Sequence, residues 1–522
     1  MKNIVFITVD SLRADYLSGP KAPASLETLP RMTEEWLTCS TAYANAPYTK
    51  QSFLSILSGS YPWTFESAET GFDPDRVHIA ERLSEEGYAT GGDSFVVLDP
   101  GYLVDVTALR GWVQCPRIYY LNKLRGVPLA EAVTRGTVVH EVFGDLLRGR
   151  DLDVAVEERV EEAGLELGLL GESPGAIREE VRRHAGAIQG WLEQGTLTGE
   201  DKWRSEQSFV SPTFGLKGRA DAVRRGMPVE LKTGKNTSRD PRFQDKVQAA
   251  CYALLLGERG VDADTATLLY TKNATLDGPE GEDPSPAKEF SVGHGLLAFV
   301  VRARNELVAA EHERRVPTGY EADATCEYCF ERDACTAVAG RLDQESKAGQ
   351  VGDPLPEAER DYFERWYDRI EDERRAVHEE YAKLWEQTAA ERADDDRALV
   401  DLDPGEPEQT ADGRWRLAAE RAEPTASKIR EGDVVLASDG DPVTGETDLA
   451  RVEALTAERV VLTADEPIRL RRVDVYPSEL SVDRMVTALH DAVLTGDERR
   501  RDVLFGRADP AFADDDHEFA GA

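Results

Sequence analysis

Cysteine, methionine and histidine are scarce in this sequence: six, four and eight residues in a chain of 522. So few thiols over such a length cannot make the dense disulfide framework of a small secreted domain. Long apolar runs are missing too. Nothing approaches the ~18 consecutive apolar residues of a membrane span. The stretch Ile4-Val5-Phe6-Ile7 is too short for a signal-peptide core and leads straight into charged sequence. A soluble cytoplasmic protein with no membrane partner is expected. No internal repeat is visible. Positive charge is in deficit, with 62 Lys+Arg against 99 Asp+Glu and a net charge of −37. Such a chain should repel a phosphate backbone. Solvent adaptation offers another reading. At ~1 M salt the Debye length is only ~3 Å, so a halophilic acidic surface costs little. Lysine is also scarcer than arginine. Net charge therefore excludes nothing, and local charge must decide.

Apolar residues are not lacking. At 41% hydrophobic, the chain can bury real cores, so wholesale disorder is excluded. At ~150 residues per domain the length suggests three or four domains. The pattern is multidomain α/β. Residues 1–102 suggest a strand (Lys2–Val9) and helices near Ser52–Leu57 and Val77–Glu86. Residues 103–340 mix helices with a hairpin and hold five of the six cysteines. Residues 341–400 are charged, with Tyr362, Phe363, Trp366, Tyr367, Tyr381 and Trp385 at helical spacing, which predicts core or helix-pairing contacts. Residues 401–480 predict short strands at Trp415–Leu417, Asp433–Ala437, Ala450–Leu455, Arg459–Thr463 and Ile468–Val473, a pattern that suits a small β-barrel. Residues 481–522 read as an acidic tail, with Asp514-Asp515-Asp516 near its end.

The cysteines cluster. Cys326-x2-Cys329-x5-Cys335 is a tight trio, and Cys115 lies far upstream. Three thiols need a fourth ligand to complete a tetrahedral or cubane site, and Cys115 is the obvious supplier. The one-plus-three arrangement favours a [4Fe–4S] cluster over zinc, whose ribbons usually pair two Cys-x2-Cys knuckles. Such a site would clip together both ends of residues 103–340, a chiefly structural role. Cys251 falls in a predicted helix and reads as a small buried hydrophobe.

Inside that clip, Gly218-Arg219-Ala220-Asp221 and Val229-Glu230-Leu231-Lys232 flank a turn at Arg225-Gly226-Met227-Pro228, predicting a β-hairpin. Residues i and i+2 of a strand share a face, so Glu230 and Lys232 project together. Asp221 can join them from the partner strand. Two carboxylates and an amine on one face are costly as packing alone. They suit a divalent cation with hard oxygen ligands, which polarises a phosphodiester and activates water. Lys232 could orient that water or stabilise transition-state charge. His140 can add a ligand from a helix, and Gln248-x3-Tyr252 lies on one face of the next. The alternative is an exposed hairpin with chance charges.

The order Cys115, His140, Asp221, Glu230-x-Lys232, Gln248-x3-Tyr252, Cys326-x2-Cys329-x5-Cys335 resembles the iron–sulfur branch of the PD-(D/E)XK, RecB-like nucleases. That branch includes the CRISPR adaptation nuclease and the replication nuclease–helicases that trim Okazaki flaps. The resemblance implies a restriction-endonuclease-like core and an Mg²⁺- or Mn²⁺-dependent cut in single-stranded or flapped DNA. It implies His140, Asp221 and Glu230 as metal ligands and Lys232 as catalytic. Gln248 and Tyr252 would organise the site or contact DNA, and the four cysteines would hold the cluster. Local charge agrees. Residues 216–246, with Arg219 and Lys235, carry nine Lys/Arg against four Asp/Glu. Residues 103–126, with Arg117, carry four against one, beside Trp112, Tyr119 and Tyr120. Basic and aromatic residues together suit backbone tracking and base stacking on a single strand. The alternative is that these aromatics pack a core.

The segment from Lys428 to Ser478 is similar to the small β-barrel ahead of the motor in the replication family, with residues 355–395 as its stalk. No Gly-x4-Gly-Lys-Ser/Thr loop is present, and the one Gly-Lys pair is Gly234-Lys235. The motor is expected either on a separate chain or beyond a truncated frame. At the other end, residues 1–97 resemble the start of a sulfatase/alkaline-phosphatase domain, with Asp10 at a metal-ligand position and Thr49 at the nucleophile position. Phe53 stands where sulfatases place an arginine, and the later metal ligands have no counterpart here. That segment reads as a remnant. Two competing functions stay open: a phosphoesterase or sulfatase acting through Thr49, and a non-catalytic DNA-binding subunit of a split nuclease–helicase.

Overall fold

Asp105 ends a short strand, β1 (Val104–Asp105), and its carboxylate caps helix α1 (Val106–Gln114) by accepting from the N–H groups of Thr107 (2.8 Å) and Ala108 (3.4 Å). A cap of this kind contributes about 1 kcal/mol. Cys115 stops α1, and Pro116, pre-set for a first helical turn, starts α2 (Pro116–Lys123). In this computed structural model the described residues are 97–124, 131–193, 203–236, 238–275, 286–319, 326–422 and 427–511. The sulfatase-like segment, with Asp10 and Thr49, lies outside them.

Three helices follow that matter to the site: α3 (Glu131–Leu147), α4 (Leu152–Glu162) and, after a short turn of helix, α5 (Pro174–Glu193). Then come strands β2 (Trp203–Ser211), β3 (Leu216–Arg224) and β4 (Met227–Lys232), helix α6 (Phe243–Glu258), and strands β5 (Thr265–Tyr270) and β6 (Ala287–Ser291). Helix α7 (His294–Glu313) follows. The sheet order is β1-β3-β4-β5-β6, with β2 also paired to β3. β4 and β5 are parallel, so the chain must cross over between them, and α6 is that crossover. One sheet face packs on α1, α6 and α7 through Leu109, Val247, Leu256 and Val300. The other packs on α3, α4 and α5 through Val139, Val156 and Val181, meeting Val229 and Leu231 of β4.

Beyond it, α8 (Arg332–Leu342), the 30-residue α9 (Glu357–Glu386), the short α10 (Ala389–Asp394), α11 (Leu480–Leu489) and α12 (Glu498–Leu504) are helical. α9 was expected as a stalk, yet it is packed along its length. Phe363, Tyr367 and Ile370 share a core with Tyr120 of α2, Val338 of α8 and Val482 and Val486 of α11. Its aromatics divide as a helix face requires: Phe363, Tyr367 and Tyr381 are buried and Trp366 is exposed. The tail reading of 481–522 is also corrected in its described part, because Val482, Val486, Leu489, Val493 and Leu494 are buried. Those apolar residues recur at helical spacing among the acids, and their burial outweighs the tail-like composition.

Residues 398–475 form an eight-stranded antiparallel sheet around one core that includes Leu417, Val435, Val452, Leu462 and Val473. Its principal strands are β10 (Trp415–Glu420), β11 (Val434–Ser438), β12 (Thr447–Leu455), β13 (Arg459–Ala464) and β14 (Arg472–Val475), while β7 (Ala398–Leu399), β8 (Asp403–Pro404) and β9 (Glu408–Gln409) are two-residue strands. Four expected strands are recovered, three slightly extended and one shifted by a residue to Val434–Ser438. The fifth shifts: Ile468 and Leu470 are buried in the core but precede the strand.

From Val97 onward the chain is one compact unit. Buried ion pairs join its parts. Lys217 of β3 meets Glu479 (2.5 Å) and Tyr381 of α9 (3.1 Å), and Arg374 of α9 meets Glu371, Glu479 and Asp483 (2.9–3.0 Å). No helix among the described residues is long and apolar enough to cross a membrane.

Candidate active site

The hairpin β3–β4 turns on Arg225 and Gly226, both left-handed (φ 49° and 77°), the geometry that matches strand twist in a two-residue hairpin. Gly226 is required twice over, since a Cβ there would lie 2.4 Å from Val261 Cγ1. Met227 and Pro228, read as turn, belong to β4. The hairpin brings Asp221 beside Glu230. Asp221 Oδ2 accepts from the Leu231 N–H at 2.7 Å, and the Asp221 N–H points to Glu230 Oε1 at 3.4 Å. His140, projecting from α3, puts Nδ1 3.4 Å from Asp221 Oδ1. Lys232 Nζ donates to Glu230 Oε2 (3.1 Å) and to Gln248 Oε1 of α6 (2.8 Å). One helical turn on, the Tyr252 hydroxyl donates to the Arg219 carbonyl at 2.8 Å, bracing β3 two residues before Asp221. Tyr252 itself is buried, and Gly218 leaves room for its ring. Its ring lies in the core behind the hairpin, out of reach of solvent.

The electrostatics separate the two carboxylates. Burial and then the charge of Asp221 push Glu230 up to about 8. Burial would raise Asp221 as well, but His140 and Lys232 hold it below the usual range. Burial works to lower His140, and the Asp221 carboxylate overrides it and raises it. The donor set, two carboxylates and an imidazole, suits a hard divalent ion by its chemistry. Here those side chains are turned onto one another. Among the described residues no group of three or more His, Cys, Asp or Glu is arranged to hold a metal ion.

One residue escaped the sequence reading. Glu206 of β2 falls opposite Asp221, between the pairs Ser205–Ala222 and Gln207–Ala220, and its φ is 55°. Burial raises its carboxyl to about 7, although Arg219 beside it pulls the other way. An acid in a strand carries no sequence signal of its own. Only the β2–β3 register reveals it.

The expected DNA-contacting residues divide. Arg117, Tyr119 and Tyr120 are corrected, because all three are buried. Tyr119 packs edge-on against Trp112 (5.8 Å), and the Tyr120 hydroxyl meets His490 Nδ1 at 3.1 Å. Two further basic residues of that stretch are paired as well, Arg110 on Asp245 (2.7 Å) and Lys123 on Glu311 (2.7 Å). Lys235, Arg239 and Arg242 remain exposed, and so does Arg219, which lies between Glu206 and Asp465.

The cysteines come together from both ends of the segment. Cys115 caps α2, Cys335 lies in α8, and Cys326 and Cys329 flank a 3₁₀ turn. Cys115, Cys251, Cys326, Cys329 and Cys335 are all free thiols. The Cys115 thiol feels Cys335 and Cys326 electrostatically, but burial is the larger cause of its raised pKa. Fully buried Arg117 gives one hydrogen bond to Gln344 (2.6 Å) and leaves Nε and Nη1 without a partner. Cys251 is buried inside α6, as read.

Residues 105–336 match the model of the PD-(D/E)XK nuclease superfamily. The chain is 23% identical over 382 residues to the DNA replication ATP-dependent helicase/nuclease DNA2 of Homo sapiens, covering 62% of this chain and 34% of that protein. It is 22% identical over 357 residues to the protein of that name in Schizosaccharomyces pombe, covering 62% and 24%. It is 24% identical over 324 residues to the DNA replication ATP-dependent helicase/nuclease JHS1 of Arabidopsis thaliana, covering 52% and 23%. The chain thus spans about a third or less of the length of these relatives. With the hairpin, its acids and its lysine in place, residues 105–336 match the PD-(D/E)XK nuclease superfamily, and the chain resembles the nuclease part of the replication helicase/nucleases.

Proposed function

We propose that this chain is a metal-dependent DNA nuclease that cuts single-stranded or flapped DNA in replication or repair. The observation that carries the reading is the ammonium of Lys232, fixed between Glu230 and Gln248 beside Asp221, inside the matched segment. An Mg²⁺ or Mn²⁺ ion held by His140, Asp221 and Glu230 would supply Lewis-acid polarisation and a more acidic water. The chain's own residues do the rest. Leu231 N–H and His140 aim Asp221. Gln248 keeps the Lys232 ammonium at the reacting phosphate, where it can orient water or offset developing charge. Tyr252 holds β3 in register behind them.

We further propose that Cys115, Cys326, Cys329 and Cys335 hold a [4Fe–4S] cluster as a structural clip. Support comes from the buried Arg117 guanidinium, whose unsatisfied N–H groups suit a nearby anionic cluster. A helicase motor on a separate chain is the partner this reading expects, and Lys235 is an expected DNA contact.

Incubating purified protein with single-stranded DNA and Mn²⁺ or Mg²⁺ at high salt tests the activity. Wild type should cut, and Lys232→Ala or Asp221→Ala should lose about 10²–10⁴-fold in rate while melting near the wild-type temperature. DNA binding without cleavage under any metal, unchanged by Lys232→Ala, would instead indicate a non-catalytic binding subunit. For the cluster, protein purified without oxygen should be brown and absorb in the iron–sulfur charge-transfer region, and Cys326→Ser should lose that colour. Colourless protein with stoichiometric zinc would overturn it.

A further inference from the structure

The nuclease segment and the eight-stranded sheet meet in a cleft of about 280 Å³. That is near the lower end of the roughly 300–1,000 Å³ of ligand pockets. His140 of the candidate active site is part of its lining. Arg148 and Arg219 line it from the nuclease side, and Arg414 and Arg451 from the sheet. The lining holds five arginines against three acids, Glu141, Glu206 and Asp465, in a chain of net charge −37. It lies where a strand would approach the site. Arg219 stands two residues before Asp221 on β3, so both project from one face.

Asp465 bridges three of these arginines, beside the pairs that Arg148 makes with Asp145 and Arg219 with Glu206. Asp465, just past the end of β13, pairs with Arg219 Nη2, lies 3.2 Å from Arg148 Nη1 and 3.7 Å from Arg414 Nε. It is held there. Its N–H donates to Asp448 Oδ2 (2.9 Å), and its neighbour Glu466 accepts from the Ser205 N–H of β2 (3.1 Å). Arg414 Nε has no hydrogen-bond partner. Guanidinium groups bind carboxylate and phosphate oxygens with the same planar fork.

We propose that Asp465 occupies the position of a DNA phosphate, and that a single strand entering the cleft displaces it from Arg219 and Arg148. The inference rests on the nuclease reading and adds to it a strand-binding cleft closed by an internal phosphate mimic. The sheet module then does more than pack against the nuclease. It supplies Arg414 and Arg451 to the strand and, in Asp465, an acid that bridges the arginines of the two parts until DNA arrives.

The test uses the full chain with fluorescent oligothymidylate in EDTA, so that binding is read without cleavage, across a salt titration. Asp465→Asn should bind several-fold more tightly. Its slope of log affinity against log salt should steepen by about 0.7 for each extra phosphate engaged on a single strand. Arg414→Gln should bind more weakly with a shallower slope. A folded Asp465→Asn protein that binds no better, with an unchanged slope, would show that Asp465 is only a cross-link between the two parts. Should Asp465→Asn fail to fold, Arg414→Gln decides, and an unchanged slope there overturns the proposal. A parallel Mn²⁺ cleavage assay separates the two readings. Wild type that cuts beside an Asp465→Asn protein with no gain sinks this inference alone. Wild type that neither cuts nor binds sinks both.

Discussion

At the scale of single residues, the site works by giving chemically similar groups different surroundings. Asp221 has His140, Lys232 and a backbone N–H to keep it charged, whereas Glu230 is buried against that same charge. Lys232 links the pair to α6 through Gln248. Tyr252 shows what support beneath the site is worth. Tyr252→Phe removes the hydroxyl that donates to the Arg219 carbonyl inside a packed core. The expected loss is about 1 kcal/mol of stability, read as a lower melting temperature. Cleavage should fall as well, because β3 carries Asp221. An unchanged melting curve and full activity would show that the hydroxyl is idle.

At the scale of elements, the placement of His140 depends on how α3 is anchored. Asp145 lies on α3, fully buried, and binds Arg148 (2.7 Å), Arg150 (3.0 Å) and Arg159 of α4 (2.9 Å). Three guanidinium groups converge on one carboxylate. Removing one partner of a buried ion pair costs about 3–5 kcal/mol, because the remaining charges stay buried. Asp145→Ala should therefore lower the chemical-denaturation midpoint severely, with wild-type metal dependence in whatever activity survives. A midpoint within about 0.5 kcal/mol of wild type, the range of an ordinary surface change, would contradict this account. Arg148 also reaches Asp465, so the anchor of α3 and the cleft share a residue.

At the scale of the whole molecule, buried histidines set the acid limit. Burial lowers His184 to about 4, His378 to about 3 and His490 to about 4. His378 lies against Tyr102 with the rings tilted (3.9 Å), and His490 meets Tyr120, so two of the three sit where the helices that follow residue 340 join the first part of the chain. The sign follows directly. Below the ordinary value of about 6.5 the unfolded chain binds protons that the folded chain refuses, so stability falls as pH drops from there towards 4. Each such histidine contributes about 1.4 kcal/mol per pH unit over that window. Glu206 and Glu230, with carboxyls raised to about 7 and about 8, take up protons in the folded state over the same range and act in the opposite sense. The histidine contribution is therefore read as a difference: between pH 7 and pH 5 the melting temperature of His378→Gln should fall less, or rise more, than that of wild type. Parallel profiles for wild type and His378→Gln over that range would show that His378 is accessible to protons.

Much of the site was legible because it is local. Asp221, Glu230 and Lys232 lie on one hairpin, and Gln248 and Tyr252 on one helix, so strand and helix periods place them without knowledge of the fold. The strands of residues 405–476 were legible for the same reason, since period-two burial is written into each short run. The reading of Arg117, Tyr119 and Tyr120 as DNA contacts failed because composition does not say which side of a helix faces a core. α2 is covered on both sides, and its basic and aromatic residues are buried. Glu206 and Asp465 were invisible, because each acquires meaning from a partner on another strand or module. The same holds for α9 and α11, whose charged sequence suggested a stalk and a tail. By itself the sequence determined the chemistry of the hairpin and the kinds of element around it. The tertiary structure alone decided which charges meet, because ion pairs form across distances in space that sequence spacing does not encode.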